Sequence, residues 1–302
     1  MVANEFTRRG AVLGSLALGA CANAPAQSND AANASANDPR FAAIEARIGG
    51  RVGVAAYTAG SGRMLTHRAN ERFAMCSTFK WPLAAQMLHQ NMTHAGLFAQ
   101  QLEFDEGDLL DYAPAARANL ARGWMTVEEM TEAIVVLSDN TCANILLERK
   151  AFWPEGFTRW IRRCGDEITR LDRFELELNE VPAGDERDTT TPASMVRLVR
   201  RLLLTRDVIL DDASQERLIG WMIESPTGRQ RLRAGLPSDW RVGDKTGTWN
   251  GPTNATNDVA IAWPPGRDPI IIASYLSAST VEPAERNAAH AEIARIIATE
   301  WA

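Results

Sequence analysis

The chain is poor in the residues that metal centres and disulfide frameworks need. Four cysteines and four histidines are spread over 302 residues. No Cys-x-x-Cys occurs, and His67, His89, His94 and His290 show no metal-ligand spacing, which argues against a zinc-dependent hydrolase. No metal or organic cofactor is implied. Positive charge is not in excess either. The 32 basic and 38 acidic residues are scattered and leave a net charge of −6, so nothing supports nucleic-acid binding. The apolar run from Gly10 to Ala20 is too short to cross a bilayer as a stable helix, and no internal repeat is present. What the chain does have is 45% hydrophobic content, enough for a large core in one composite unit or two lobes.

Residues 1–26 read as a signal peptide and 27–38 as a flexible linker of Ala, Asn, Ser and Asp with little to bury. Thr7-Arg8-Arg9-Gly10-Ala11-Val12-Leu13 is like a twin-arginine signal; a Sec signal carrying paired arginines is the alternative. Leu18-Gly19-Ala20-Cys21 looks like a lipoprotein processing site, making Cys21 a lipid-anchor candidate, whereas Ala24-Pro25-Ala26 would serve ordinary cleavage. Either ending leads to export and a periplasmic location. Without Cys21, three cysteines remain, an odd number for an oxidising compartment, and packed free thiols are the expected state. A monomer is expected.

Periodicity divides the remainder, 39–302, into two kinds of territory. Arg40 to Ile48 predicts a helix ended by Gly49-Gly50, then a strand from Val52 to Tyr57 and a hairpin partner from Gly62 to Thr66. From Ser77 to about Met222 the pattern is helical, with Leu83, Met87 and Leu88 on one face, then Met130, Ile134 and Leu137, then Met195, Leu198, Val199 and Leu202. After Pro237, strands are expected at Trp240 to Thr246, Asp258 to Trp263 and Ile270 to Leu276. A closing helix over Ala284 to Trp301 turns Ile293, Ile296 and Ile297 inward. The fold class is therefore α/β (α+β). An α/β lobe is built from about 39–72 and 226–302, with an all-α lobe inserted at about 73–225.

Three short motifs carry the chemistry. In Ser77-Thr78-Phe79-Lys80 a helix start would place Ser77 and Lys80 on one face, a hydroxyl beside a base, with the helix N-terminus lending positive potential. Pro82 falls past the first turn of such a helix, so a local irregularity is expected there. Ser138-Asp139-Asn140 offers good caps between two helical runs. Lys245-Thr246-Gly247-Thr248 ends a strand, where Gly247 would leave room for a substrate backbone along the edge.

Taken in this order, the three motifs are the signature of class A β-lactamases and penicillin-binding proteins. From about Phe41 to the C-terminus the chain closely resembles a class A serine β-lactamase, which implies an antiparallel five-stranded sheet and a cleft between the lobes. The resemblance implies Ser77 as nucleophile, Lys80 as its partner, Ser138 as proton relay and Asn140 as a ligand of the acyl side chain and Lys80. Asp139 would fix the loop. Lys245, Thr246 and Thr248 would hold the substrate carboxylate, and the N–H groups of Ser77 and Thr248 the oxyanion. Arg231 would be a second carboxylate ligand, with Arg229 and Arg233 as competitors. Tyr112 would wall the cleft, with a core or surface tyrosine as the rival reading.

A fourth segment, Arg173-Phe174-Glu175-Leu176-Glu177-Leu178-Asn179 with Asp188, resembles the family's Ω-loop. It implies Glu175 and Asn179 as holders of the hydrolytic water, a cis Glu175–Leu176 peptide and an Arg173–Asp188 ion pair. The implied reaction is two-step covalent hydrolysis of penicillins and cephalosporins, with Lys80 and Glu175 both open as the acylation base. Some relatives bridge the residue before the nucleophile to a cysteine after Lys-Thr-Gly-Thr. Here Cys76 faces Trp249 in sequence instead, and weak carbapenem turnover is expected. A penicillin-binding transpeptidase would share the first three motifs but not Glu175 and Asn179; a β-lactam sensor would bind without turnover.

Overall fold

The computed structural model describes residue 1, residues 37–206 and residues 209–301. The signal peptide expected at 1–26 lies outside the described residues, as does most of the 27–38 linker. The fold begins earlier than that linker allows. Asn37 Oδ1 accepts from the Arg68 N–H at 3.0 Å, and Asp38 caps the first helix through Arg40 N at 2.9 Å.

Five antiparallel strands form the sheet in the order Met64–His67, Arg51–Thr58, Ile270–Ser277, Ala255–Trp263, Arg241–Trp249. All five strands are longer than, or shifted from, the runs expected by sequence. Arg241–Trp249 runs past its expected end at Thr246 and so carries the whole of Lys245-Thr246-Gly247-Thr248 inside a strand. The central strands are buried on both faces, so their near-continuous apolar runs hide the alternation that would have marked their ends.

One face of the sheet packs against helices Pro39–Ile48 and Pro283–Trp301, with Phe41, Ile44, Val54, Ile272, Ile293 and Ile297 in a single cluster. Ile293 and Ile297 point inward as expected, whereas Ile296 is only half-buried. The opposite face meets helices that sequence placed in a separate lobe. Pro192–Val199 lies on Arg51–Thr58 and Ile270–Ser277, and Asp212–Glu224 lies on Arg241–Trp249. The 73–225 segment is thus not a free-standing helical lobe, because a sheet with two apolar faces needs cover on both.

Helix Lys80–Thr93 runs through the centre of this second core, with Trp81, Leu83 and Met87 fully buried. A 3₁₀ turn, Cys76–Phe79, precedes it. Pro82 is the third residue of the α-helix, within the first turn, where backbone N–H groups have no intrahelical partner. The irregularity expected near Pro82 is therefore the 3₁₀ turn in front of it. Cys76, Cys142 and Cys164 are free and buried, and burial pushes the Cys164 thiol up to about 12.

His290 is fully buried between Ser274 Oγ at 2.8 Å and the Thr256 carbonyl at 2.9 Å. Burial, reinforced by the charge of Arg231, pushes its imidazole down to about 3. The unfolded chain takes up this proton near its ordinary value of about 6.5 and the folded chain does not. The contribution of His290 to stability is therefore complete above about pH 6.5 and declines as pH falls from there towards 3, at up to about 1.4 kcal/mol per pH unit. Urea unfolding of wild type and His290→Gln between pH 7 and 4 should show the wild type losing stability more steeply.

Candidate active site

The nucleophile turn is shaped by close packing. Cys76, at φ 43°, reverses the chain so that Ser77 opens towards the cleft while Cys76 and Thr78 turn into the core. Three residues on, the Lys80 side chain is completely buried. Its Nζ donates to Ser77 Oγ at 3.0 Å and to the Ser138 carbonyl at 2.9 Å, and reaches Asn140 Oδ1 at 2.5 Å and Glu175 Oε1 at 2.9 Å.

The Ser138-Asp139-Asn140 loop precedes helix Asn140–Arg149. Asp139 fixes it as expected: one carboxylate oxygen accepts from Cys142 N at 2.8 Å, the other from Ala115 N and Ala116 N at 2.8 and 3.0 Å. Held this way, Ser138 adopts φ 60° and its Oγ accepts from Lys245 Nζ at 2.9 Å. Asn140 N donates to the Tyr112 carbonyl at 3.1 Å. Tyr112 itself is 62% exposed, which excludes the core-tyrosine reading and places the ring on the surface beside this loop.

The strand Arg241–Trp249 brings the third group. Lys245 is fully buried, and burial, then the charge of Lys80, hold its ammonium well below the ordinary lysine value. Thr246 Oγ1 donates to Thr227 Oγ1 at 2.9 Å, and Thr248 is exposed. The structure gives a further reason for Gly247: a Cβ there would stand 2.7 Å from the Met75 carbonyl and 3.2 Å from Ser77 N. Glycine is required because two backbones touch. Arg231 lies behind the strand, donating to the carbonyls of Gly247 and Asn257 at 2.9 and 2.7 Å and to Asn287 Oδ1 at 2.9 Å. Its one link to the cleft is a 2.6 Å bond to Thr248 Oγ1. Its competitors are excluded, since Arg233 pairs with Asp244 at 3.0 Å and Arg229 is exposed with no partner drawing it to the site.

The fourth segment closes the cleft. Glu175 Oε1 lies 3.4 Å from Ser77 Oγ, while Oε2 accepts from Asn179 Nδ2 at 2.7 Å. The Glu175–Leu176 peptide is cis, and Arg173 Nε donates to Asp188 Oδ2 at 2.6 Å, both as expected. Ser77, Lys80, Ser138, Asn140, Glu175, Asn179 and Lys245 thus form one continuous hydrogen-bonded set. Among the described residues, no group of three or more His, Cys, Asp or Glu is placed to hold a metal ion.

Sequence reasoning missed three residues. Asn144 clamps the backbone of Glu175 from both sides, its Oδ1 accepting from Glu175 N and its Nδ2 donating to the Glu175 carbonyl, each at 2.9 Å. The signal was present: Asn144 follows Asn140 by four residues and shares its helix face. Asn257 Nδ2 donates to the carbonyls of Ala74 and Met75 at 2.9 and 3.1 Å, tying the sheet to the nucleophile turn. Trp249 donates through Nε1 to the Glu180 carboxylate, fastening the edge strand to the Ω-loop. Neither of these pairings has a local sequence signal.

The family model described as the β-lactamase enzyme family matches residues 38–301. The β-lactamase AST-1 of Nocardia asteroides is 43% identical over 261 residues, covering 86% of this chain and 82% of its own. The carbapenem-hydrolyzing β-lactamase KPC of Klebsiella oxytoca is 40% identical over 256 residues, covering 85% and 86%. The solved structure of an ancestral Gram-negative class A β-lactamase superposes with a TM-score of 0.82 at 46% identity, covering 87% of this chain and 99% of that one.

Asn144→Ala removes both bonds to a part-buried backbone amide and carbonyl. Leaving such groups unpaired costs about 1–3 kcal/mol. Urea unfolding should show a loss in that range, together with a fall in kcat larger than any change in KM, because Glu175 would no longer be held opposite Ser77.

Proposed function

The chain belongs to the class A β-lactamases and hydrolyses the β-lactam ring, and we propose that Ser77 carries the acyl group and Glu175 directs its release. The observation that carries this assignment is the position of Glu175, with one oxygen 3.4 Å from Ser77 Oγ and the other bound by Asn179 at 2.7 Å. A transpeptidase would share the three motifs around Ser77, Ser138 and Lys245 but neither Glu175 nor Asn179.

In the proposed sequence, Ser77 Oγ attacks the lactam carbonyl and loses its proton to a base. Two groups reach that oxygen, the Glu175 carboxylate and Lys80 Nζ, the latter a base only in its neutral form. The C–N bond then breaks as Ser138, its hydroxyl oriented by Lys245, gives its proton to the departing nitrogen and is replenished by the proton taken from Ser77. The N–H groups of Ser77 and Thr248 stabilise the oxyanion, where such donors act most strongly on developing charge. Glu175 next takes a proton from water as it attacks the ester. Asn179 Oδ1, buried with no protein donor, accepts the second proton of that water. The ester C–O bond breaks, Glu175 returns its proton to Ser77 Oγ, and the ring-opened acid leaves.

The substrate carboxylate is held by Lys245, Thr246 and Thr248. Arg231 assists through Thr248, fixing the hydroxyl's orientation with a 2.6 Å bond. Cys76, Trp249, Ala74 and Ala255 share one small apolar cluster, so no bridge joins Cys76 to the far strand. We expect weak carbapenem turnover for this reason, and kcat/KM for a carbapenem should fall well below that for benzylpenicillin; equal values would overturn it. Export on the leader 1–26 to the periplasm, anchorage at Cys21 and a monomeric state belong to the same reading. They rest on the sequence.

The decisive experiment separates the two half-reactions by intact-protein mass spectrometry. Glu175→Ala should still react with benzylpenicillin but accumulate an adduct of one drug molecule, its lifetime extended by about 10²–10⁴-fold, the range of general-base assistance. Ser77→Ala should form no adduct. Wild-type turnover by Glu175→Ala would remove Glu175 from deacylation.

A further inference from the structure

On the far side of helix Lys80–Thr93 from Ser77, a cleft of about 580 Å³ opens against helix Trp153–Arg163. Small-molecule sites commonly span about 300–1,000 Å³. Its walls include Arg149, Lys150, Arg159 and Arg163 with His89 and His94, and no aspartate or glutamate lines it. In a chain of net charge −6, this is a concentration of one sign.

Arg149 is engaged by the Glu103 carbonyl and by Glu148 at 3.8 Å, and Lys150 by Gln100 Oε1 at 2.7 Å, but the other two charges are not used up by the fold. Arg159 and Arg163 are exposed and make no ion pair or hydrogen bond among the described residues, although their neighbour Arg162 pairs with Glu167 at 3.6 Å. They stand one helical turn apart on the same face, a like-charged spacing that disfavours the helix unless an anion sits between them. Facing them, Trp160 Nε1 donates to His89 Nδ1 at 3.4 Å, which leaves His89 Nε2 as the protonated nitrogen of the neutral ring. Gln90 Nε2 fastens the wall to the Lys150 carbonyl at 3.1 Å. Gln86, 3% exposed, also lines the cleft, and its side-chain oxygen has no protein partner. Phe152, 71% exposed at φ 58°, forms an apolar edge. A bulky residue in that left-handed region is rare outside sites where the surrounding structure holds it.

We propose that this cleft binds a phosphate ester with an apolar body, the phosphate between Arg159 and Arg163 and the body against Trp160 and Phe152. Two guanidinium forks on successive turns approach from different directions, which suits an oxyanion with three terminal oxygens better than the two coplanar oxygens of a carboxylate. The ester is either free in solution or the headgroup of an anionic lipid, since both present the same phosphate.

The test uses the full chain. Calorimetric titration with phenyl phosphate should show saturable one-site binding. The double variant Arg159→Gln/Arg163→Gln should bind at least about tenfold more weakly, and more weakly still as salt rises in the wild type. Hydrolysis of a chromogenic cephalosporin should stay unchanged, because neither arginine belongs to the hydrogen-bonded set around Ser77, and the melting temperature should not fall, because the change removes a like-charged pair from the helix. Phe152→Ser should weaken phenyl phosphate while leaving inorganic phosphate untouched. Co-sedimentation with phosphatidylglycerol vesicles, but not phosphatidylcholine vesicles, and its loss in the double variant would assign the source to a lipid headgroup; binding of phenyl phosphate alone would assign it to a free ester. Undiminished binding in the double variant, or no binding of either phosphate probe or of the anionic vesicles, would overturn the proposal.

Discussion

A lysine ammonium with no exposure to solvent is the constraint around which this molecule is arranged. Removing such a group from water costs on the order of several kcal/mol unless oxygens replace the hydration shell. Lys80 finds four: Ser77 Oγ, the Ser138 carbonyl, Asn140 Oδ1 and Glu175 Oε1. Ser77 belongs to the turn that leads into the Lys80 helix, whereas Ser138 stands 58 residues from Lys80 in sequence and Glu175 further still, so the helix, the Ser138 loop and the Ω-loop are each fixed by the same nitrogen. An ammonium has three protons to give. With four oxygens around it, the bonds are shared, and the group is poised between holding Ser77 Oγ and answering the Glu175 carboxylate. The arrangement that makes burial tolerable is also the one that sets Ser77 Oγ between the Lys80 nitrogen and the Glu175 carboxylate.

Approach of backbones is the second constraint. The nucleophile turn lies so close to Arg241–Trp249 that only glycine fits at 247. Asn257, on the next strand, holds the same turn through the carbonyls of Ala74 and Met75. The donors proposed for the oxyanion stand on these two touching pieces, and their spacing is therefore set by packing of the sheet against the helix rather than by a flexible loop. Arg231 belongs to this framework. Buried behind the strand, it braces the Gly247 and Asn257 carbonyls and delivers its influence to the cleft through a single threonine hydroxyl.

The Ω-loop is held differently, by many short-range polar contacts. Asp188 accepts from Asp172 N, Arg173 N and Arg173 Nε, Asn144 grips the Glu175 backbone, and Glu180 takes the indole N–H of Trp249. Trp153 packs edge-on against Phe174 at 5.4 Å, which joins the loop to the start of helix Trp153–Arg163. The catalytic carboxylate is thus supported from three directions, each a different element of the fold.

The sequence by itself, through its motifs and the resemblance they carry, picked out the residues to which the chemistry is assigned. Ser77, Lys80, Ser138, Asn140, Glu175, Asn179 and Lys245 were legible because their roles depend on residue type and on spacing within short motifs, and a motif survives wherever the fold carries it. It also determined the alternation of strand and helix territory, since apolar periodicity is local. What it could not determine was contact between distant segments. The strand end at Ala255 was hidden because both faces are buried there, leaving no polar–apolar alternation to read. The second reason for glycine at 247 was not legible, because the atoms that exclude a Cβ, around Met75 and Cys76, are about 170 residues away in sequence. Arg231 was assigned to the substrate by resemblance, and the burial that gives its N–H groups to the carbonyls of Gly247 and Asn257 is decided by tertiary packing alone. Asn257 and the Trp249–Glu180 pair were invisible for the same reason: a hydrogen bond across the fold leaves no mark in the local pattern, and only the assembled sheet, helix and loop decide which side chain meets which backbone.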